Sequence, residues 1–252
     1  MAHIIREWLD APILYLDTVD STNNYAMLRI DADTAQPGMT IVTEAQTAGK
    51  GQRGKTWQDV PGESLLTSMI VRPAHTLDQQ FIFSAAVAVA IATVIEDLYE
   101  AWQVHIKWPN DIIINDKKAG GILIENVLRG NQWLYAVIGL GLNIAQERFD
   151  SSLQQATSLR MASGKLFDKK LILKNLREQL FVHIIEAGDP AAILHQYNTY
   201  LYRKDQAQLF TDGVTEWSAK VQAVLPNGQL QVLRDTGAQE NYTHGVVQWK
   251  WI

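Results

Sequence analysis

Pro61 and Gly62 follow closely on a basic, glycine-rich loop, and this pair constrains the fold more than any other feature of the chain. Gly49-Lys50-Gly51-Gln52-Arg53-Gly54-Lys55-Thr56 fits G-x-x-x-x-G-K-[ST], the phosphate-cradling P-loop, and Gly49, Gly51 and Gly54 also fit the dinucleotide fingerprint G-x-G-x-x-G. Both patterns require a helix directly after the glycines, because its first amides and its dipole hold the phosphates. Here Thr56 is followed by WQDVPGESLL, where proline and glycine would break a helix in its first turns. The strand that comes next, SLLTSMIVRP, ends in Arg72-Pro73 and not in the acidic residue a dinucleotide fold places there. The stretch therefore reads as a surface loop on another scaffold. Its three glycines allow close approach to an anion, Lys50, Arg53 and Lys55 supply charge, and Gln46 and Trp57 bracket it. A P-loop nucleotidase is the less favoured alternative.

The rest of the chain alternates strands with helices. PILYLDTV reads as a strand ending near Thr18, followed by a helix capped by Asp20 or Ser21. GMTIVTEAQ and SLLTSMIVRP make two more strands. Asp78 to Leu98 is helical, with Phe81, Ala85, Ala88, Ala92, Ile95 and Leu98 recurring near the helical period. VHIKW, DIIIN, GGILIENVL and QWLYAVIGLGLNI are β-segments, the last two joined as a hairpin through Arg129-Gly130-Asn131. A polar passage from Gln146 to Lys165 precedes helices over Lys169–Ala187 and Pro190–Tyr200. The final segment alternates at period two, with turns at TDG, PNG and DTG, which predicts a small antiparallel barrel. The expected division is a domain over residues 1–200 and a small one over 201–252.

Charge and composition narrow the function. A formal net charge of -5 argues against sequence-independent nucleic-acid binding, which needs a positive surface. With no cysteine there is no disulfide framework and no thiol catalysis, in keeping with a reducing cytoplasm. The start, MAHIIREWLD, carries charges where an export signal needs an apolar run, and the longest apolar stretch, Ala85 to Ile95, is too short to span a bilayer. These features predict a soluble, cytoplasmic protein that engages neither DNA nor membrane.

A second cluster is more specific. KWPNDIIINDKKAGGILIE, Lys107 to Glu125, together with DSTN at Asp20–Asn23 and GLGLNI at Gly139–Ile144, resembles the biotin protein ligase family. The family's signature loop is a basic, glycine-rich segment ending in Trp, which AGKGQRGKTW matches, and all four segments agree in order and spacing from about Tyr15 to the end. Where many members carry Arg-Gly-Arg, this chain has Lys50-Gly51-Gln52. About fourteen residues precede the first strand, too few for the DNA-binding helix-turn-helix of some members. The resemblance implies an α+β fold of the class II synthetase type, with a mixed or antiparallel sheet and helices plus a small C-terminal SH3-like β-barrel. It also implies a monofunctional ligase without repressor function.

The implied reaction has two steps: biotin and ATP give biotinyl-5'-AMP and pyrophosphate, and a lysine of a biotin carboxyl carrier protein or domain then takes the biotin. An anion must approach a polyanion, so cations, Mg²⁺ and fixed donors matter most. The resemblance assigns Lys118 to bridge the carboxylate and α-phosphate, with Lys50 and Arg53 as further catalytic cations; a solvated hairpin lysine is the plain alternative for Lys118. Asn110 and Asp111 offer hard oxygens to Mg²⁺, although an Asx-turn also explains them. Ser21, Thr22, Asn23 and Gln46 suit the ureido ring of biotin, helix capping being the alternative for Ser21. Gly49, Lys50, Lys118, Gly120 and Gly121 complete the implied biotin pocket, with Ile122 and Leu123 as walls. Gly51, Gln52, Arg53, Trp57, Lys107, Trp108, Asn110 and Asn143 fall to ATP, Asn143 reading the adenine and Lys50, Gly51, Gln52 and Arg53 closing as a lid. For Trp108 a buried core role is equally open. The edge of GGILIENVLRGNQWLYAVIGL could support a homodimer. The rivals are a lipoate or octanoate ligase on the same fold and a non-catalytic biotin sensor whose C-terminal barrel binds a partner.

Overall fold

The computed structural model describes residues 8–185 and 188–251. The expected helix end at Ala187 lies outside these residues. Seven strands, β1 (Ile13–Val19), β2 (Thr40–Gln46), β3 (Ser64–Val71), β4 (Val104–Lys107), β5 (Asp111–Ile114), β6 (Lys117–Arg129) and β7 (Gln132–Asn143), form one sheet in the order β1-β2-β3-β7-β6-β5-β4. The β1–β2 pair is parallel and the other pairs are antiparallel. The parallel pair needs a crossover, which helix α1 (Thr22–Asp31) provides. Gly130 turns the expected β6–β7 hairpin at φ 56°.

β3 is buried at every position, because helices cover both faces of the sheet at its centre. Its alternate residues sort accordingly. Leu65, Met69 and Val71 join the main core around α2 (Gln80–Leu98), whereas Ile70 joins a smaller cluster with Ala26 of α1. Ser68 faces the α1 side and reaches the side chains of Thr22 and Asn23. With its preceding 3₁₀ turn, α2 spans 22 residues and is long and apolar enough to cross a membrane by length and composition, unlike the shorter stretch singled out from the sequence. Two-thirds of its most apolar 18-residue window is buried inside the fold, which makes it the central core helix.

α3 (Leu159–Ser163) interrupts the passage that reads as a polar loop. Ser158 caps it by accepting from the Met161 amide at 3.1 Å, and Gly164 ends it at φ 72°. Helix α4 (Lys169–Leu180) continues into a π-helical turn, Phe181–Ile185, and α5 (Pro190–Thr199) begins on the Asp189 cap with Pro at its first position. The chain then forms β8 (Ala207–Thr211), β9 (Glu216–Val224), β10 (Leu230–Arg234), β11 (Gln239–Tyr242) and β12 (Gln248–Trp249), a five-stranded antiparallel sheet in the order β11-β10-β9-β8-β12. This sheet is packed onto the larger unit. Tyr197, Tyr202, Phe210, Val221 and Trp249 share one hydrophobic cluster with α2, and the β9–β10 turn at Gly228 rests on Phe81. That docking brings residues 244–251 to the cavity side of β4, β5 and β6.

Candidate active site

The floor of the site is built where β1 enters α1. Ser21 stands at the N-cap in an extended conformation, but its hydroxyl makes no cap bond; the Asp20 carboxylate accepts from the Ser21 amide at 2.7 Å. Capping therefore does not account for Ser21. The Thr22 amide donates to Gln46 Oε1 at 2.8 Å, which leaves the Gln46 NH₂ group turned away from α1. Ser68 Oγ lies 2.7 Å from Thr22 Oγ1 and 2.6 Å from Asn23 Oδ1. Asn23 Nδ2 donates to Glu125 Oε2 at 2.7 Å and, more weakly, to the Leu123 carbonyl at 3.4 Å. Ser21, Thr22, Asn23 and Ser68 are all buried, so these bonds are made out of water and hold the donors and acceptors in place.

The glycine-rich loop folds back on itself over this floor. Lys50 and Thr56 form an antiparallel bridge, the Gly51 amide donates to Lys55 O at 2.7 Å, and Arg53 adopts φ 55° and ψ 43° at the tip. No helix follows, as Pro61 and Gly62 require. The Trp57 indole lies on bare backbone: a Cβ built on Gly141 would stand 2.5 Å from the ring, and one on Gly121 3.1 Å from it. Lys50 Nζ reaches Glu125 at 3.6 Å. Arg53 Nη1 donates to the His244 carbonyl at 2.9 Å, with its guanidinium where a side chain on Gly245 would sit.

The opposite end is cationic. The bulge between Ile112 and Ile113 sets β5 against β6 so that Lys118 Nζ meets Asp111 Oδ1 at 2.7 Å. Lys107 is buried, its ammonium 3.1 Å from the Trp249 carbonyl and 4.4 Å from the Trp251 ring centroid. Burial holds its pKa down to about 8, Asp111 opposing and Lys118 and Lys55 reinforcing the shift. Trp108, on the cis Trp108-Pro109 peptide, is both buried and part of the cavity wall; its indole donates to Gly228 O at 2.9 Å and stands edge-on to His244. Burial, and then Arg53, lower the pKa of His244 below the ordinary imidazole value. Asn110 Nδ2 is committed to Ile122 O at 2.6 Å, which turns its Oδ1 outward beside Asp111. Two hard oxygens fit a Mg²⁺ ion that takes its other ligands from phosphate and water. Among the described residues no group of three His, Cys, Asp or Glu could hold a metal on its own.

These pieces border one cavity of about 1090 Å³. Ser21, Thr22, Asn23, Gln46, Lys50, Gly51, Gln52, Arg53, Trp57, Lys107, Trp108, Asn110, Asp111, Lys118 and Gly121 all line it, drawn from segments far apart in the sequence. Six Lys and Arg side chains face two carboxylates there, although the whole chain carries a net charge of -5. Positive charge concentrated in this way suits a polyanion. Gly49 and Gly120 stand behind the lining, and Asn143 turns its amide to the Thr157 carbonyl at 3.0 Å without reaching the cavity. The sequence reading missed Ser68 and Glu125 beneath the floor, Ser151 to Ala156 along one wall, and His244 to Trp251 along another. A single acid in an apolar strand could have flagged Glu125. The C-terminal wall gives no local signal.

The family model described as Biotin/lipoate A/B protein ligase family matches residues 15–143. A bifunctional ligase/repressor BirA of Bacillus spizizenii is 34% identical over 167 residues, covering 65% of this chain and 51% of that protein. A biotin--[acetyl-CoA-carboxylase] ligase of Mycobacterium tuberculosis is 27% identical over 214 residues, covering 83% and 73%. The chain spans about half the length of the Bacillus relative. Among solved structures, a biotin protein ligase of Aquifex aeolicus in complex with biotin and ATP superposes with a TM-score of 0.79 at 20% identity, covering 95% of this chain and 99% of that one.

Proposed function

The chain belongs to the biotin/lipoate A/B protein ligase family, and on that basis we propose that it is a biotin protein ligase. The biotin carboxylate attacks the α-phosphorus of ATP, the α–β bond breaks, and pyrophosphate leaves. The amine of an acceptor lysine then attacks the biotinyl carbonyl and AMP departs. A biotin carboxyl carrier protein or domain supplies that lysine, in keeping with the name of the Mycobacterium relative. One observation carries this reading: Lys118, Asp111, the glycine-rich loop and the Ser21–Asn23 floor border a single cavity.

Each residue has a task in this scheme. Ser21, Thr22, Asn23 and Gln46 receive the ureido head of biotin, and Gly121, expected from the sequence to lie against the ligand, instead lets the Trp57 indole close down on bare backbone beside it. Lys118 spans the carboxylate and α-phosphate; Lys50, Arg53 and Lys107 offset phosphate charge. Asn110 and Asp111 hold Mg²⁺, which screens the phosphates when bound. Trp57 and Trp108 wall the cavity, and Gly51, Gln52 and Arg53 shield the acyl-adenylate from water. The polar floor favours biotin over lipoate, whose dithiolane would leave buried donors and acceptors unpaired. The chemistry belongs in the cytoplasm, where ATP and carboxylases meet. A homodimer through the β6 edge, residues 123–129, which β5 leaves uncovered, is a further part of the scheme, and light scattering would test it.

Incubation with biotin, ATP, Mg²⁺ and a biotin carboxyl carrier domain should release pyrophosphate and add one biotin mass to one lysine. Biotin should compete out lipoate in binding. ATP hydrolysis to ADP without pyrophosphate, or transfer of lipoate alone, would overturn the proposal.

A further inference from the structure

We propose that Glu125 is a positioning residue of this site, fixing the hydrogen-bond polarity of the pocket floor through Asn23 and drawing the glycine-rich loop down through Lys50. The biotin ligase reading enters only in saying what the pocket holds. Glu125 is the one acid in β6, and one of its oxygens faces each partner: Oε2 accepts from Asn23 at 2.7 Å and Oε1 meets Lys50 at 3.6 Å.

The polarity follows from counting protons. A carboxylate can only accept, so it requires the NH₂ side of the Asn23 amide and turns Oδ1 toward Ser68. Ser68 approaches both Asn23 and Thr22 but has one hydroxyl proton. The acceptor at 2.6 Å on Asn23 takes it, which leaves Ser68 Oγ to accept from Thr22, at 2.7 Å a closer acceptor for the Thr22 proton than Gln46 Oε1 at 3.3 Å. The lone pairs of Thr22 Oγ1 then remain for a ligand N–H. If Asn23 turned over, its oxygen would face the Glu125 carboxylate and the chain of donors would reverse: Thr22 would accept from Ser68, losing a lone pair to it, and its proton would turn to Gln46 Oε1 at 3.3 Å. Glu125 thus decides, three side chains away, which ligand groups the floor can receive.

The second arm reaches the loop. Lys50 stands one residue before Gly51 in the small hairpin that carries Arg53, so its attraction to a strand of the rigid sheet tethers the loop base. Both side chains are partly exposed, at 42% and 30%, so a pair of this kind shifts an equilibrium by about two- to five-fold.

The experiment uses trypsin on the ligand-free protein, reading cleavage after Arg53 and Lys55, with the wild type, Glu125→Gln, Lys50→Gln and the double variant. Each single change should speed cleavage about two- to five-fold, and the double variant should be no faster than either. Unchanged cleavage in Glu125→Gln, or effects that multiply in the double variant, would overturn the tether. Equilibrium binding of biotin reads the floor. Glu125→Gln, which keeps an acceptor for Asn23, should bind within about five-fold of the wild type, whereas Glu125→Leu should lose about ten-fold or more at matched folding by circular dichroism. Equal affinities in Glu125→Gln and Glu125→Leu would overturn the polarity argument. Biotin that binds no variant, wild type included, would instead defeat the ligase reading, while the cleavage rates still decide the pairing of Glu125 with Lys50.

Discussion

Lys118 ends in an ammonium already paired with Asp111 at 2.7 Å, so it is oriented before any substrate arrives. An ammonium is a point charge that can span a carboxylate and a phosphate, and no other side chain replaces it at that position. Lys118→Ala should lower the rate of pyrophosphate release by about 10²–10³, with biotin affinity changed far less. A pyrophosphate assay beside equilibrium binding checks this, and release at the wild-type rate would remove Lys118 from the mechanism. Lys107 makes a pH prediction. Burial depresses its pKa from 10.5 to about 8, so between those values the unfolded chain binds more protons than the folded one. The charged amine is a cost to stability that is complete below about pH 8 and fades as pH rises toward 10.5. Phosphate binding needs the ammonium, so kcat/KM for ATP should fall as pH rises through 8, and Lys107→Arg should flatten that limb. A pH–rate profile identical in the two proteins would show that another group titrates.

At the level of elements, the loop over the floor depends on two strands having no side chains beneath it. Gly141→Ala leaves the backbone of β7 allowed but puts a methyl group 2.5–2.9 Å from three atoms of the Trp57 ring, which must move. The expected result is a loss of about 1–3 kcal/mol in urea unfolding and a red-shifted tryptophan emission. An unchanged spectrum would mean that Trp57 does not rest there in solution. Most of these elements were legible in the sequence, because strands such as β3 and the β6–β7 hairpin write their pattern locally. So were the residues that gather in the cavity, since Asp20–Asn23, Gly49–Trp57 and Lys107–Lys118 are compact motifs. α3 was not: five residues are too few to show a helical period, and its Ser158 cap and Gly164 stop read equally well as loop. Asn143 was legible as a polar residue ending an apolar strand, but its direction is set by the Thr157 carbonyl, which no local pattern reveals. The wall from His244 to Trp251 exists only because one sheet docks on another.

At the level of the whole molecule, that docking joins the seven-stranded sheet and its helices to the C-terminal five-stranded sheet through a shared core. Tyr197 packs on Phe81 and Tyr202 on Trp249, all within one hydrophobic core, and the Asn198 side chain bonds the Val224 backbone in both directions, at 2.6 and 2.9 Å. Neither part can open without exposing apolar surface of the other, so calorimetry should record one unfolding transition. A resolved early transition for the C-terminal sheet would disprove the coupling. The cavity has walls as distant in sequence as Ser21 and Trp251, and it is a product of contacts at the longest range the chain offers. Contacts of such sequence separation carry the largest loop-closure cost. Each motif taken alone lacks the opposing walls, so the chamber exists only in the fully docked molecule, and a change far from it that loosens the docking would open it.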